Sequence, residues 1–289
     1  MKESRGDRIF TIVNYTFLSI ILFIVLYPMI YIVSCSFSNP SAVTAGKVWL
    51  LPVDPTLIGY KTIFENKDIV TGYANTIFYT VCGTILAVAL TVLAAYPLSR
   101  KDYKLRNPIM LIFTFTMFFS GGLIPTYLLM SSLGLVNTRA VMIIPGALSV
   151  YNVIITRTFF QSTIPQELLE ASQIDGCSDF VFFGKVVLPL SKAIISVIAL
   201  FYAVGYWNSY FNALIYLHDR NKYPLQMILR EILIQNRMDA EALSSGWMSV
   251  DDLAARQSLF ELLKYSLIIV ASVPVLCIYP FVQKYFIKG

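Results

Sequence analysis

The chain has 289 residues, of which 57% are hydrophobic and 13% charged, with a formal net charge of +5 and a mean hydropathy of +0.67. Soluble domains carry about 25% charged residues, so this composition lacks the polar surface of a water-soluble globule. High hydrophobicity with low net charge also excludes intrinsic disorder. The basic pI fits cationic loops beside a membrane better than a nucleic-acid partner.

Lys2, Arg5 and Arg8 precede an apolar run from Phe10 to Val33. That run is longer than the roughly 7–15 residues of a signal-peptide core, which predicts an uncleaved first membrane helix. Crossing the hydrocarbon core takes about 20 mostly apolar residues. Windows without Asp, Glu, Lys, Arg or His can each hold one span, the fourth with a slight extension past Arg157, giving approximate helices at 10–33, 76–98, 109–129, 140–160, 193–217 and 264–286. Alternating ten-residue strand patterns are absent, which disfavours an outer-membrane barrel. The expected fold class is an all-α integral membrane protein, with 1–289 forming a single six-span domain.

Orientation follows from the cations. The 99–108 connector carries Arg100, Lys101, Lys104 and Arg106, and both termini are basic. The positive-inside rule therefore places the termini and 99–108 in the cytoplasm of a multi-pass protein. The segment 157–192 then lies on the same side, with 34–75 and 218–263 facing outward. Pro28, Gly121-Gly122 with Pro125, Pro145-Gly146, Pro274 and Pro280 interrupt several spans. Functional kinks and ordinary membrane-helix packing both accommodate such residues. The four cysteines show neither pairing nor metal spacing, so neither a disulfide framework nor a metal site is expected.

The segment from about 162 to 190 is the most informative. Thr163 and Gln166 form a capping-box pattern, with Pro165 suited to a first helical turn. Glu167 and Glu170 favour the N-terminal end of the same short helix, and Gly176 is placed to end it. Ser178-Asp179 starts a second short helix that stops near Pro189. The spacing predicts a helix–turn–helix along the cytoplasmic surface.

Glu170-Ala171-Ser172, then Asp175-Gly176, then Val186-Val187-Leu188-Pro189 nine residues on, resemble the EAA loop of importer-type ABC transporter permeases. Ser172 stands for the second Ala of that pattern and Val186 for its Ile. The resemblance extends over most of the chain, including Trp207-Asn208. It is strongest to carbohydrate-importer permeases similar to the second maltose-system subunit, in the lineage handling larger oligosaccharides such as alginate or pectin fragments. The resemblance implies a type I ABC importer transmembrane-domain architecture in a bacterial plasma (inner) membrane. It further implies a second permease subunit, two ATPase subunits that bind ATP and Mg, an extracellular solute-binding protein and a carbohydrate substrate. Glu167, Glu170, Ala171, Ser172, Asp175, Gly176, Leu188 and Pro189 would then couple this chain to the ATPase. Small side chains at 171 and 172 also suit close docking of a helix in a partner groove.

No G-x-x-x-x-G-K-[S/T] phosphate loop occurs in the sequence, so a transport subunit without its own ATPase site or cofactor is expected. Permeases for phosphate, polyamine or amino acid, and ion-coupled secondary carriers, are the alternative readings. The latter lack the intramembrane carboxylates they would need.

Tyr202, Tyr206, Trp207, Asn208 and Asn212 in the fifth span are substrate-path candidates, because rings offer apolar platforms and amides read hydroxyls. Interfacial and interhelical packing roles suit the same residues. Tyr151 and Asn152 are weaker candidates. In the outward segment 218–263, Leu225, Ile228, Leu229, Ile232 and Leu233 predict an amphipathic helix after Pro224. Ser249 with Asp252 predicts another. The polar stretch between them, with Arg237 and Trp247, is the candidate contact with the binding protein, either reaching into its cleft or capping the permease. Arg220, Lys222, Arg230 and Arg237 could attract an acidic sugar, although Asp219, Glu231, Asp239 and Glu241 lie among them.

Overall fold

The computed structural model describes residues 4–243 and 250–286, with side chains for 4, 6–234 and 258–277. Among these residues every regular element is helical. Two compact units are distinguished, Met1–Lys67 with Leu229–Val273 and Asp68–Ile228 with Pro274–Gly289.

In the first unit, helix α1 (Arg5–Ser36) opens on a reciprocal cap. The Ser4 hydroxyl accepts from the Gly6 N–H at 3.1 Å, and the Asp7 carboxylate accepts from the Ser4 N–H at 3.2 Å. None of its most apolar window is buried. A helix apolar on all sides needs a membrane or a partner around it. Its last turn instead meets protein. Cys35 packs with Val43 of α2 (Pro40–Thr44), with Val48, and with Leu262 of the last helix. Serines tie this end down, with the Ser34 hydroxyl donating to the Leu50 carbonyl at 2.6 Å and the Ser38 hydroxyl accepting from the Val53 N–H at 3.1 Å. Gly59, in α3 (Ile58–Glu65), permits close approach, because a Cβ there would stand 2.5 Å from the Ser266 hydroxyl.

The second unit is built around α4 (Lys67–Ser99). Its buried face reads Ile69, Gly72, Asn75, Thr76, Tyr79, Thr80, Gly83, Ala87, Thr91, Val92, Ala95 and Leu98. These residues recur every three or four positions, as one helix face requires. Most are small or hydroxylated, the composition that lets membrane helices approach closely. Helices α5 (Arg106–Phe118) and α6 (Leu123–Ser132) follow, then α7 (Val150–Thr163) and α8 (Gln166–Ile174). Next come α9 (Asp179–Phe182), a π-helical turn (Phe183–Val187) and α10 (Leu188–Leu190). Helices α11 (Lys192–Trp207) and α12 (Phe211–Tyr216) lead to α13 (Leu225–Leu243) and α14 (Val250–Phe286).

Among the described residues three helices are long and apolar enough to cross a membrane, at Gly6–Ser36, Lys67–Ser99 and Ser258–Cys277. They match the first, second and sixth predicted spans. The third is broken: α5 and α6 meet at 112°, and Gly122 between them takes φ +84°, a conformation costly for residues with a Cβ. The predicted fourth helix, 140–160, is corrected by the structure. Arg139–Met142 is a 3-10 turn and α7 begins only at Val150. Pro145 lies between them and supplies no N–H, while the Ser149 hydroxyl caps the new start from the Asn152 N–H at 3.4 Å. At 14 residues α7 is shorter than the roughly 20 residues of a straight crossing. The fifth predicted span, 193–217, is likewise broken after Trp207, and α12 is a separate turn of helix.

The amphipathic helix after Pro224 is present as α13. Leu225, Ile228 and Leu229 are buried, with Ile232 and Leu233 half-buried. The helix expected from Ser249 with Asp252 is present from Val250, running on in α14 through the last apolar window, while Ser249 itself lies outside the described residues.

Tyr206 fixes the packing of α4 against α11. Its hydroxyl donates to the Ile143 carbonyl at 2.8 Å, and a Cβ on Gly83 would lie 2.6 Å from its ring. We predict that Gly83→Ala destabilises the protein by about 1–3 kcal/mol, since overpacking outweighs the gain in helix propensity. Thermal unfolding of the detergent-purified protein checks this, and Tyr206→Leu in the same background should restore part of the loss.

Candidate functional site

The segment that the sequence singles out forms a helix–turn–helix arm. Helix α8 starts after Pro165, whose extended backbone serves as the N-cap without a side-chain hydrogen bond. The expected Thr163–Gln166 capping box is therefore corrected: Thr163 is the last residue of α7, and the Gln166 amide donates to Glu170 Oε1 at 2.9 Å. The expected stop at Gly176 is present. Gly176 takes φ +71°. Its N–H donates to the Gln173 carbonyl at 3.1 Å, and that of Cys177 donates to the Ser172 carbonyl at 2.9 Å. This paired arrangement is the Schellman motif, which glycine favours because it has no Cβ.

No residue of α8 is buried. Glu167, Glu170, Ala171 and Asp175 are exposed, and Ser172 is half-buried with its hydroxyl donating to the Leu169 carbonyl at 2.7 Å. Two large apolar side chains beside the turn stand in the open, Ile174 at 87% and Phe180 at 88% exposure. The second half of the arm is anchored differently. Phe182 and Val187 enter the core with Phe160 and Ile194, while Leu188 packs at its edge. Pro189 is exposed, and the arm turns into α11 through a 79° bend at Ser191. The predicted second helix is thus present, but it passes through a π-helical turn before Pro189.

A side chain that sequence reasoning treated only as a membrane-surface cation holds this arm. Arg100, just past α4, pairs with Asp102 at 2.6 Å and with Asp179 at the start of α9. It also donates to the Tyr96 hydroxyl at 3.3 Å. Arg157 Nε donates to the Leu98 carbonyl at 2.8 Å and the Gln161 amide to the Ser99 carbonyl at 3.3 Å. The end of α4 is therefore tied to α7, and through Arg100 to the far side of the arm. The Arg100 side chain is 12% exposed, and bonding to Asp102 and then Asp179 raises its pKa against the opposing effect of burial. The hydrogen bond from Arg100 holds the Asp102 carboxyl below the usual carboxylate range. The signal available in sequence was only an Arg followed two residues later by Asp.

At the opposite end of α4, residues 137–139 and 218–225 meet its first turns. Asn137, in the left-handed region at φ +57°, accepts from the N–H groups of His218 and Asp219 at 3.1 and 3.0 Å. The Asn75 amide donates to the Asn221 and Tyr223 carbonyls at 2.7 and 3.1 Å, and its oxygen accepts from Arg139 at 3.2 Å. The Thr76 hydroxyl accepts from the Leu225 N–H at 2.7 Å, at the start of α13. Arg220 pairs with Asp68 at 2.7 Å and Lys222 with Asp219 at 3.2 Å. These two cations are thus engaged within the protein rather than displayed as an open basic face. Bonding from the Asn221 N–H and from Lys222 lowers the Asp219 pKa.

The aromatic substrate-path candidates are packed. The Tyr202 hydroxyl accepts from the Ser149 N–H at 2.9 Å and lies 2.6 Å from the Thr91 hydroxyl. Tyr206 is held as described above, and Trp207 is buried with its ring 6.3 Å from that of Tyr73. Asn208 is exposed, its oxygen 3.4 Å from the Gln226 amide that donates to it, and Asn212 is half-buried. Asn152 is buried and Tyr151 exposed. The side chains of Arg237 and Trp247 lie outside the described residues.

No family model matches the chain. It is 38% identical over 289 residues to the protein LplC of Bacillus subtilis, covering 100% of this chain and 95% of that one. It is 40% identical over 286 residues to the polygalacturonan/rhamnogalacturonan transport system permease protein YtcP of the same organism, covering 98% and 96% respectively. Among solved structures it matches, with a TM-score of 0.83 and 39% identity over 99% of each chain, a crystal structure of a bacterial ABC transporter involved in the import of the acidic polysaccharide alginate.

Because Asp179 is one of two carboxylates on Arg100, Asp179→Asn should cost no more than about 1 kcal/mol of global stability. Amide exchange over residues 166–182 should nevertheless quicken by about two- to fivefold, as the arm loses its outer tie. Hydrogen-exchange mass spectrometry of the purified protein decides it, and unchanged exchange would show that the tie does not hold the arm. The Asp102 contribution, with its lowered pKa, is present above the ordinary carboxylate value of about 4 and is lost as pH falls through the lowered one.

Proposed function

The chain belongs to the permease family of carbohydrate ABC importers, and on that premise we propose that it is the six-span subunit conducting an acidic oligosaccharide handed over by an extracellular solute-binding protein. It pairs with a second permease, and two ATPase subunits that bind ATP and Mg drive the cycle. The observation that carries this reading is α8: a short helix with no core of its own, ended at Gly176, that presents Glu170 and Ala171 beside the exposed Ile174. That is the form of a surface built to be covered by another subunit, and the likeness to sugar permeases runs the length of the chain. Glu167, Glu170, Ala171, Ser172, Asp175 and Gly176 make up the ATPase-facing contact, with Leu188 and Pro189 joining it to span five.

The acidic character of the substrate is inferred from two relatives, one named for polygalacturonan and one for alginate import. Six crossings follow if each bent pair counts once and α7 crosses together with the preceding 3-10 turn. The meeting of 99–106 with the arm at one end of α4, and of 134–139 with 217–223 at the other, supports the alternation of loops that this topology requires. The arm and both termini then lie in the cytoplasm of a bacterial plasma membrane. In the state described here the amides of Asn208 and Gln226 offer the polar surface for sugar, while the three rings of α11 shape the wall behind it.

Glu170→Lys should leave membrane insertion and assembly intact while reducing ATP hydrolysis stimulated by the loaded binding protein at least tenfold, because a cation replaces the carboxylate at the docking face. The measurement is ATPase activity of the reconstituted importer with and without binding protein. Unaltered stimulation would remove Glu170 from the coupling contact.

A further inference from the structure

A cavity of about 690 Å³ opens between the end of α4, the start of α5, the end of α7 and the inner side of α8. Its size falls in the range of about 300–1,000 Å³ typical of small-molecule sites. Four cations line it, Arg100, Lys101, Arg106 and Arg157, against two carboxylates, Asp102 and Glu170. The pairing among them is uneven. Arg100 takes both Asp102 and, from outside the lining, Asp179, while Glu170 is bonded by the Gln166 amide. Counting Asp179, the group is +1, but the positive charge is concentrated on Lys101, Arg106 and Arg157. Arg157 bonds the Leu98 carbonyl through Nε, and Arg106 bonds the Arg100 carbonyl at 3.3 Å. Both hydrogen-bond partners are neutral carbonyls, and Arg106 feels a carboxylate only through its weaker interaction with Asp102, which Arg100 already bonds.

The start of α5 points the same way. Arg106 is its first residue, no acidic side chain occupies its first turn, and no side chain caps it. A helix N-terminus favours negative charge, so a cation there is the unfavourable arrangement unless an anion joins it. The same helix exposes Leu111 at 72% and Ile112 at 60%, surface suited to acyl chains. The cavity itself adds the apolar walls Phe160, Ile164 and Leu169.

We propose that this cavity binds a phosphate-bearing anion, supplied by the headgroup of an acidic phospholipid whose chains lie along α5. Basic pockets between membrane helices at the cytoplasmic surface hold such headgroups, with each Lys or Arg near the surface contributing about 1 kcal/mol. Leu169, Glu170 and Gln173 of α8 form one wall, so the bound headgroup braces the arm against the membrane surface.

The experiment uses the complete importer in nanodiscs of phosphatidylcholine, with and without phosphatidylglycerol. Native mass spectrometry reads retained lipid, and hydrogen exchange reads residues 166–174. The wild type should retain phosphatidylglycerol selectively and exchange more slowly over 166–174 when it is present. Lys101→Gln with Arg106→Gln should weaken retention about fivefold for each cation removed. The mass of the intact complex reports assembly of the same sample. Equal retention and equal protection in wild type and variant, both fully assembled, would overturn the site. Inorganic phosphate added to phosphatidylcholine nanodiscs separates the sources. If phosphate alone slows exchange in the wild type but not the variant, the anion site stands and the lipid assignment is overturned.

Discussion

Arg100 solves a problem created by α8. A helix with no buried residue gains little from a hydrophobic core, with Leu169 packed at its edge, and isolated helices so short are marginal in water. Its position therefore depends on ties at its ends and beyond them. Pro165 and the Gly176 turn fix where it starts and stops, but not where it sits on the molecule. That is set by Arg100, which reaches from the end of α4 to Asp179 in the other half of the arm. A guanidinium suits the task because its planar fork can serve two carboxylates and a hydroxyl at once. Its guanidinium carbon lies 5.9 Å from the Tyr96 ring centroid and its side chain is largely buried, so these charge-assisted bonds are screened less than open surface pairs.

Helix α4 is the member to which both ends of the second unit are fastened. At its start Asn75, Thr76 and Tyr79 bond backbone groups of residues 221–225. At its finish the carbonyls of Leu98 and Ser99 accept from Arg157 and Gln161. Between these, the small residues of its buried face admit Tyr206 and Tyr202 from α11 close to its backbone. A helix bonded at both ends and packed without slack along one face acts as a rigid strut. The broken elements, α5 with α6 and α10 with α11, are where backbone direction changes instead.

Legibility from sequence divides along physical lines. Long apolar runs and cationic loops depend on composition alone, and they placed the first, second and sixth spans and brought 99–106 beside the arm. The Gly176 stop was legible because a left-handed residue after a helix has one favoured chemistry. The apolar stripe from Leu225 was legible because period 3.6 is a local property. Breaks at 119–122 and 143–149 were visible as Gly and Pro, but their angles depend on what surrounds the freed backbone groups, which a window of residues does not contain. Thr163 matched a capping pattern yet ended the preceding helix, since the same short motif fits either side of a tight junction. Arg100–Asp179 and Asn75–Asn221 join residues far apart in sequence, and a single sequence carries no trace of such pairings. For the same reason the bonds of the Tyr202 and Tyr206 hydroxyls to Ser149 and Ile143 left no trace in the sequence.

The arm's two halves differ in a way that bears on how force would cross it. The first half rests on the core through Leu169 at its edge, while Phe182 and Val187 of the second are buried among core side chains. From Asp179 to Leu190 the chain is continuously helical, with the π-helical turn at Phe183–Val187 inside it. A displacement imposed on α8 by a docked partner would cross the short turn 175–178 and then reach the bend at Ser191 through this continuous helical stretch. Nucleotide on that partner can bias this chain only through contacts that differ in free energy between its two states. The exposed Ile174 and Phe180 are suited to such a role. Burying each is worth about 1.5–3 kcal/mol, comparable with the 1–3 kcal/mol typical of coupling between sites. A partner groove that covers them more completely in one state than in the other would supply coupling of that order without a further device.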